Sequence, residues 1–587
     1  MNEYREENLS DILQANFFGE YKLLPELTFR VTLGANVLNS RNGYYSSSKL
    51  TGNDSGKATM GTNKNTHIIN ENYLTYTKKF GSHELGLMGG YSYQSSEYEG
   101  LSALNRTFLT DAFLWWDLDG GSDFSAPSSY LTKTELSSFY GRVNYKLLDK
   151  YLITLNARYD GSSRFAKNNK WAFFPSGAIA WNVAEESFMD NLPQISQLKL
   201  RGSYGVTGNQ AIGAYQSLAK LESVHSIQNS AVVNAVVPSA VANDNLTWES
   251  TAQTDVGLDL GLFDQKILLV MDYYYKKTTD LLFSMPLPEY SGYGSMLKNI
   301  GSLQNQGIEI TLSTQNINRE LKWATDLNFS LNRNKVLDLP DGNDVPYGIG
   351  TFIEFEYTNI LREGEPVGVF YGHVYDGVIQ EGEDILPGNF EQYAGGEKFK
   401  DMDGNQKIDG NDRVIIGDPN PDFIYGINNT FEYKGFDLNF FIQGSQGNDL
   451  FSMTLAELEQ LKGNSNATTE ALKRWSPTNT DTDVPKASTT RSLRSSSRWI
   501  FDGSFVRLKN ISLGYNLPKS IIHSIGLENA RIYISGQNIL TLSKFRGYDP
   551  EVNYNSEGTT NSNRNLGYDF ASYPNAKSYT MGLRLTF

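Results

Sequence analysis

Cysteine is absent from this 587-residue sequence. Disulfide staples, thiolate nucleophiles and Cys-based zinc sites are thereby excluded. A sheet closed through its own strand hydrogen bonds needs none of them. Histidine is scarce: His67, His83, His225, His373 and His523 are scattered, with no HExxH or paired spacing. No run approaches the ~18 to 20 apolar residues of a membrane helix, so helical spanning is excluded too. A basic excess is also missing, because 51 Lys and Arg face 66 Asp and Glu for a formal charge of -15. Nucleic-acid binding, which needs a basic face, is not expected. The opening Met1-Asn2-Glu3-Tyr4-Arg5-Glu6-Glu7 is polar, with no apolar stretch of a signal peptide behind it. An exported chain with this opening is expected to have its true N-terminus upstream. Gly52-Asn53-Asp54-Ser55-Gly56-Lys57-Ala58 superficially resembles a phosphate-binding loop, but it is one residue short and Ala58 replaces the hydroxyl residue. No catalytic constellation remains, and an enzyme is not expected.

What is present points to strands. Aromatics make up 13%, with 35 Tyr and 31 Phe, the residues that form girdles at both edges of a membrane barrel. Mean hydropathy is only -0.42, as expected when alternate residues alone face lipid. Period-two alternation recurs along the chain. Tyr579, Met581, Leu583, Leu585 and Phe587 alternate with Thr580, Gly582, Arg584 and Thr586. Phe436/Leu438/Phe440/Ile442, Val256/Leu258/Leu260/Leu262, Ile153/Leu155/Tyr159 and Leu85/Leu87/Tyr91/Tyr93 repeat it. Helical spacing near 3.6 is not seen in these segments. Alternation alone fits a soluble sandwich or a membrane barrel.

Connection lengths separate the two. Tight links are expected at Gly81-Ser82, Leu148-Asp149-Lys150, Phe263-Asp264-Gln265, Asn318-Arg319-Glu320 and Lys434-Gly435. Between them lie long polar loops at 97–134, 208–248, 280–301, 334–420, 447–498 and 542–574. Sorting of loops by parity is the mark of outer-membrane barrels, with short periplasmic turns and long external loops. The expected fold is therefore all-β, a transmembrane antiparallel β-barrel of about 17 strands, each near 10 residues and the first near Leu13–Tyr21. An odd count that ends in the periplasm would place Met1 outside, whereas single-chain barrels carry an even number and start inside. Lipid-exposed open edges leave unpaired backbone groups costing several kcal/mol each. The chain is expected to be the C-terminal part of a larger barrel.

Several longer stretches carry a family resemblance. Asn245-Leu246-Thr247-Trp248-Glu249, then Gln253-Thr254-Asp255-Val256-Gly257-Leu258-Asp259, resembles a segment of SusC/RagA-type TonB-dependent transporters. Asp272-Tyr273-Tyr274-Tyr275-Lys276-Lys277-Thr278-Thr279-Asp280, Asp160-Gly161-Ser162-Ser163-Arg164-Phe165 and Ser504-Phe505-Val506-Arg507-Leu508-Lys509-Asn510-Ile511 are similar to the same family, in the same order. The resemblance implies a roughly 22-stranded barrel with an N-terminal plug. It further implies a SusD-like surface lipoprotein as partner, energy from the TonB complex, and import of glycan or peptide. The plug, the TonB contact region and about five strands have no counterpart here. The alternatives are a passive plugless pore or structural outer-membrane protein, and a soluble secreted β-sandwich. Outer-membrane lipid and the barrel-assembly machinery complete the expected partners.

Three sites stand out. Asp401, Asp403 and Asn405 take positions 1, 3 and 5 of a calcium loop, with the Lys407 carbonyl, Asp409 and Asp412 at 7, 9 and 12. Gln406 departs from the glycine expected at position 6, and Asp412 from the longer Glu. A structural Ca²⁺ is the only cofactor expected, and none is required. Trp115 and Trp116, beside Asp117 and Asp119, suit stacking against a sugar face, and equally loop packing or lid contact. Phe587, closing an alternating strand, resembles the signal read by the assembly machinery.

Overall fold

The computed structural model describes residues 3–50, 56–228, 231–348, 357–462, 466–522, 526–553 and 566–587. Gly52–Ser55 and His523 lie outside the described residues. Among the described residues no helix is long and apolar enough to cross a membrane.

Among the described residues, seventeen long strands carry the alternating segments. The first seven are β1 (Tyr4–Leu24), β2 (Leu27–Ser46), β3 (Lys57–Phe80), β4 (His83–Phe108), β5 (Ser128–Leu147), β6 (Tyr151–Ser162) and β7 (Trp171–Asn182). Next come β8 (Ile195–Asn209), β9 (Glu249–Leu262), β10 (Ile267–Thr279), β11 (Ser302–Asn318) and β12 (Leu321–Asp338). The last five are β13 (Phe423–Tyr433), β14 (Phe436–Gln446), β15 (Phe505–Asn516), β16 (Asn529–Ser543) and β17 (Ser578–Thr586).

The chain divides into two compact units. One comprises Met1–Trp181, Gly202–Gln253 and Thr278–Ile300. Its strands β1 to β7 form a continuous antiparallel meander, each paired with the next. The register from β2 to β7 runs without a shift, so the parity of each side chain is preserved along the strand. Two smaller hairpins, Lys220–Gln228 with Ala231–Ala240 and Leu282–Pro286 with Ser295–Asn299, complete this unit. Its main core gathers Phe165, Phe174, Ile212, Leu246 and Trp248, and the Trp248 indole N–H donates to the Lys170 carbonyl at 2.9 Å.

The other unit comprises Asn182–Arg201, Thr254–Lys277 and Gly301–Phe587. Strands β11 to β17 form a second antiparallel meander. The Lys434-Gly435 link has both residues at positive φ, 48° and 87°, the backbone of a type I′ hairpin that matches strand twist.

Two expectations change. Strands β1 to β5 run 20 to 26 residues rather than about 10, so most of the expected loop 97–134 is strand. The expected loops 334–420, 447–498 and 542–574 fold together. Val345–Tyr347, Asn359–Leu361, Phe370–His373 and Arg413–Gly417 make a four-stranded sheet. Asp449–Ser452 pairs with Ile500–Asp502 and, in parallel, with Tyr568–Asp569. Helix α1 (Met453–Glu459) follows, capped by the Ser452 hydroxyl, which accepts from the Leu455 N–H at 3.1 Å. Phe370, Phe451, Met453, Trp499 and Tyr568 bury a common core between these segments.

Candidate functional site

One face of the meander β3 to β7 is apolar between two aromatic rows. The lower row holds Phe80, His83, Tyr145, Tyr151 and Trp181, with Phe80 stacked on His83 at 5.2 Å and Tyr151 on Trp181 at 6.4 Å. The upper row holds Tyr91, Phe139, Tyr159 and Trp171, with centroids 4.9 to 6.1 Å apart. Leu87, Val143, Ile153, Leu155 and Ile179 lie between them, all exposed. On β6 the rows are marked by Tyr151 and Tyr159. That spacing is roughly 27 Å along a strand and about 20 Å along the normal of a tilted one, close to the apolar band of an outer membrane.

The second unit repeats the pattern. Tyr433, Phe436 and Tyr515 pair across β13, β14 and β15 at one level. Phe329 and Tyr425 pair at the other, and on β13 the markers are Tyr433 and Tyr425, the same spacing as on β6. An amide on this band, Asn429, has its carbonyl oxygen satisfied by the Trp323 indole at 3.0 Å and the Thr325 hydroxyl at 2.8 Å. An amide in an apolar layer persists only when paired in this way.

The opposite face of the same strands is polar and ion-paired. Arg158 meets Asp160 at 2.8 Å and donates to the Ser138 hydroxyl at 2.7 Å. Arg201 bridges Asp259 at 2.8 Å and Asp272 at 2.9 Å. Arg531 pairs with Asp437. Charges at membrane depth are tolerated only toward water, so this face lines an aqueous interior.

The acidic loop lies just before Arg413–Gly417. Oxygens of Asp401, Asp403 and Asp412 all fall within 4.8 Å of one another. Gln406, at position 6, has φ of 63°, the left-handed conformation that glycine supplies in calcium loops. The carboxylates also accept backbone N–H groups. Asp401 takes Gly404 and Gln406 at 2.7 Å each, while buried Asp412 takes Met402 and Asp409, also at 2.7 Å. Desolvation pushes the Asp401 carboxyl up, but the bonds from Gln406 and Gly404 outweigh it and hold the group below its usual range. Asp409 stands apart from the trio. It caps the turn Gly410–Asp412 and lies 3.4 Å from the Lys407 ammonium. Asn405 donates its side-chain amide to Asp403 at 3.0 Å. An oxygen set of this kind fits a hard cation such as Ca²⁺.

Trp115 and Trp116 part company. Trp115 is 4% exposed, packed with Tyr45 and Ala58 and lying flat on Gly43, where a Cβ would collide with its ring. Asn105 seals the same loop by donating to the carbonyls of Leu118 and Gly121 at 2.8 and 3.0 Å. Packing takes up the Trp115 ring, in line with the loop-packing alternative, and leaves little of it exposed for stacking. Trp116 is 57% exposed, with the Arg41 guanidinium 4.8 Å from its ring centre. Phe587 follows β17 and is exposed, as are Tyr579, Met581, Leu583 and Leu585 on the same face. Tyr98 and Tyr130 escaped the sequence reading because they fall in 97–134. The alternation Tyr98/Gly100/Ser102 was the signal that could have placed them on a strand.

Comparison with known proteins matches residues 3–539 to the family described as TonB dependent receptor-like, beta-barrel. TonB-dependent receptor P3 of Formosa agariphila is 47% identical over 99% of this chain and 58% of its own length. TonB-dependent receptor SusC of Bacteroides thetaiotaomicron is 30% identical over 88% of this chain and 49% of its own length. Among solved structures, the RagAB peptide transporter superposes with a TM-score of 0.87 at 24% identity, over 100% of this chain and 63% of that one. This last likeness concerns the fold. The chain spans 49 to 63% of the length of these relatives.

Proposed function

This chain belongs to the TonB-dependent receptor β-barrel family and is integral to the outer membrane, and from that premise we propose that its whole protein imports a large nutrient, a glycan or a peptide. Uptake draws on TonB for energy and on a SusD-like lipoprotein that covers the external mouth. The observation that carries this reading is the two-faced wall. An apolar band between aromatic rows of equal spacing, on β6 and on β13, backs a hydrophilic face of paired charges. A wall with lipid on one side and water on the other is what a large closed barrel needs to pass a solute far larger than an ion. Folding of the external segments into one packed body, joined by buried ion pairs, supplies a firm surface for a lid protein.

The acidic loop Asp401–Asp412 is proposed to hold a structural Ca²⁺ through Asp401, Asp403 and Asp412, whose carboxylates would supply oxygen ligands. No chemistry is assigned to that ion.

Deletion of the gene in its native host tests the transport reading. Uptake of a labelled oligosaccharide or peptide pool is expected to fall to background, and a protonophore is expected to reproduce the loss in the wild type. A tagged receptor is expected to co-purify with one lipoprotein. Unchanged uptake of every pool after deletion contradicts the reading.

A further inference from the structure

Above the upper aromatic row, strands β1 to β5 continue outward with both faces intact and no register shift over this part. The two faces differ in charge. On the face continuous with the membrane band stand Asp11, Arg41, Lys64, Glu97, Glu99 and Lys133. The inner face, in the five rows from Glu6–Tyr44 down to Gln14–Asn36, carries Glu6 as its only acidic or Lys/Arg residue. That carboxylate is already engaged, accepting from Tyr4 at 2.9 Å and Asn8 at 3.2 Å. In a chain with 20% charged residues, so neutral a patch beside so charged a one is a property of the face.

Tyrosines and amides fill the neutral face. Tyr44, Tyr98 and Tyr130 stand on it with Asn42, Asn63 and Asn65. Tyr130 lies against Gly100, where any Cβ would meet its ring, and donates to the Asn63 carbonyl oxygen at 3.2 Å. Its ring is thus held flat and remains 55% exposed. Tyr4 meets Tyr44 edge to face at 5.3 Å. Between Tyr44 and Tyr130 is a depression of about 190 Å³, floored by Gly61 and Gly100 and rimmed by Asn42, Asn63, Ser102 and Ser128. Just above it, Lys57 lies 5.7 Å from the Tyr44 ring and Arg106 pairs with Asp123 at 3.7 Å.

We infer that this inner face binds a neutral oligosaccharide. Sugar C–H faces stack on exposed aromatic rings, and amides and hydroxyls answer sugar hydroxyls in both directions. An anionic glycan would meet no cation in the five rows, and a charged peptide would find only the Glu6 carboxylate, already engaged by Tyr4 and Asn8. The inference rests on the import reading and narrows it to a substrate class and a place.

The test uses the full-length receptor in detergent, titrated calorimetrically with maltohexaose, cellohexaose and xylohexaose, and in parallel with a hexameric alginate and a lysine- and glutamate-containing hexapeptide. At least one neutral hexasaccharide is expected to bind, and the alginate and the peptide are not. Joint Tyr44→Ala and Tyr130→Ala substitution is expected to weaken that binding at least tenfold, while Tyr130→Phe, which keeps the ring, stays within threefold. Heat-modifiable migration of the barrel on gels reports that each variant is folded. Tighter binding of the alginate or peptide overturns the inference, as does absence of any neutral ligand or full affinity in the double alanine variant. Cells separate the two levels. Uptake that requires the receptor yet is untouched by the double variant sinks this inference alone, whereas uptake indifferent to the receptor sinks the import reading.

Discussion

Arg491 and Glu391, 100 residues apart in sequence, meet in a buried two-pronged ion pair. The Nε–Oε1 and Nη2–Oε2 distances are both 3.0 Å. The same guanidinium donates to the carbonyls of Gln460 at 2.7 Å and Lys486 at 2.9 Å. One arginine thus stitches together segments that are loops in the sequence. Removing one partner leaves a buried charge uncompensated, so Arg491→Ala is expected to destabilise the external body by about 3 to 5 kcal/mol. Hydrogen exchange over 380–400 and 450–500 is the readout. Replacing Arg491 and Glu391 together by Met and Leu is expected to restore most of the protection, since a packed apolar pair avoids the desolvation cost.

His373 gives the external body a dependence on pH. It is 2% exposed, ringed by Phe390 and Phe399 at 5.3 and 5.6 Å, and its Nδ1 has no hydrogen-bond partner among the described residues. Burial, then the nearby Arg413, bring its pKa down to about 4, with Arg494 adding to the shift and Asp412 and Asp409 opposing it. The folded value lies below the unfolded one, so the unfolded chain takes up the proton first. Stability is full above about pH 6.5 and falls as pH drops toward 4, by about 2 kcal/mol at pH 5. Exchange rates at pH 7 and pH 5, corrected for intrinsic exchange, measure it. His373→Phe is expected to remove this part of the slope, and an unchanged slope would contradict the assignment.

Trp115 and Trp116 are expected to respond differently to alanine. Trp115→Ala empties the core shared with Tyr45 and Ala58 and is expected to cost about 3 to 5 kcal/mol locally. Trp116→Ala removes an exposed ring and an Arg41 contact worth about 1 kcal/mol or less. Limited proteolysis within 109–120 distinguishes them, with early cleavage expected only for the first. Gly43→Val, which forces Trp115 off the backbone, is expected to behave like Trp115→Ala.

Calcium is expected to slow hydrogen exchange across 398–414 in the full-length receptor, and a chelator to reverse the effect. Joint Asp401→Asn and Asp403→Asn substitution is expected to abolish the response, because it removes two of the three clustered carboxylates. Identical exchange with calcium, with chelator and in the variant would remove the ion from the account.

Much of the wall was legible because alternation is local. Leu85/Leu87 and Ile153/Leu155 announce their faces within a few residues, and short links mark the turns where Lys434-Gly435 and Leu148-Asp149 take positive φ. Seventeen long strands follow from that local code. The extensions of β1 to β5 were less legible, with only a weak alternation such as Tyr98/Gly100/Ser102 to mark them. Above the membrane both faces are polar, so Tyr98, within 97–134, reads as loop until its partner strand is known. The external body was hidden for another reason. Its core unites Phe370, Phe451, Trp499 and Tyr568, residues far apart in sequence, and no local period reports such packing. For Trp115 the sequence leaves stacking and loop packing open, since aromatic and acidic neighbours describe chemistry and not burial.

No cysteine occurs in this chain, so single cysteines placed in it, in a full-length receptor cleared of any cysteine elsewhere, measure the central claim directly. Single substitutions Ile153→Cys, Leu155→Cys, Ala157→Cys, Thr154→Cys, Asn156→Cys and Arg158→Cys walk along β6 through the proposed bilayer. In outer membranes carrying the full-length receptor, Thr154→Cys, Asn156→Cys and Arg158→Cys are expected to react with a charged thiol reagent. Fluorophores on the other three are expected to be quenched by spin-labelled lipid instead. Uniform reactivity along the strand, or the opposite alternation, would contradict a wall with lipid on one side and water on the other.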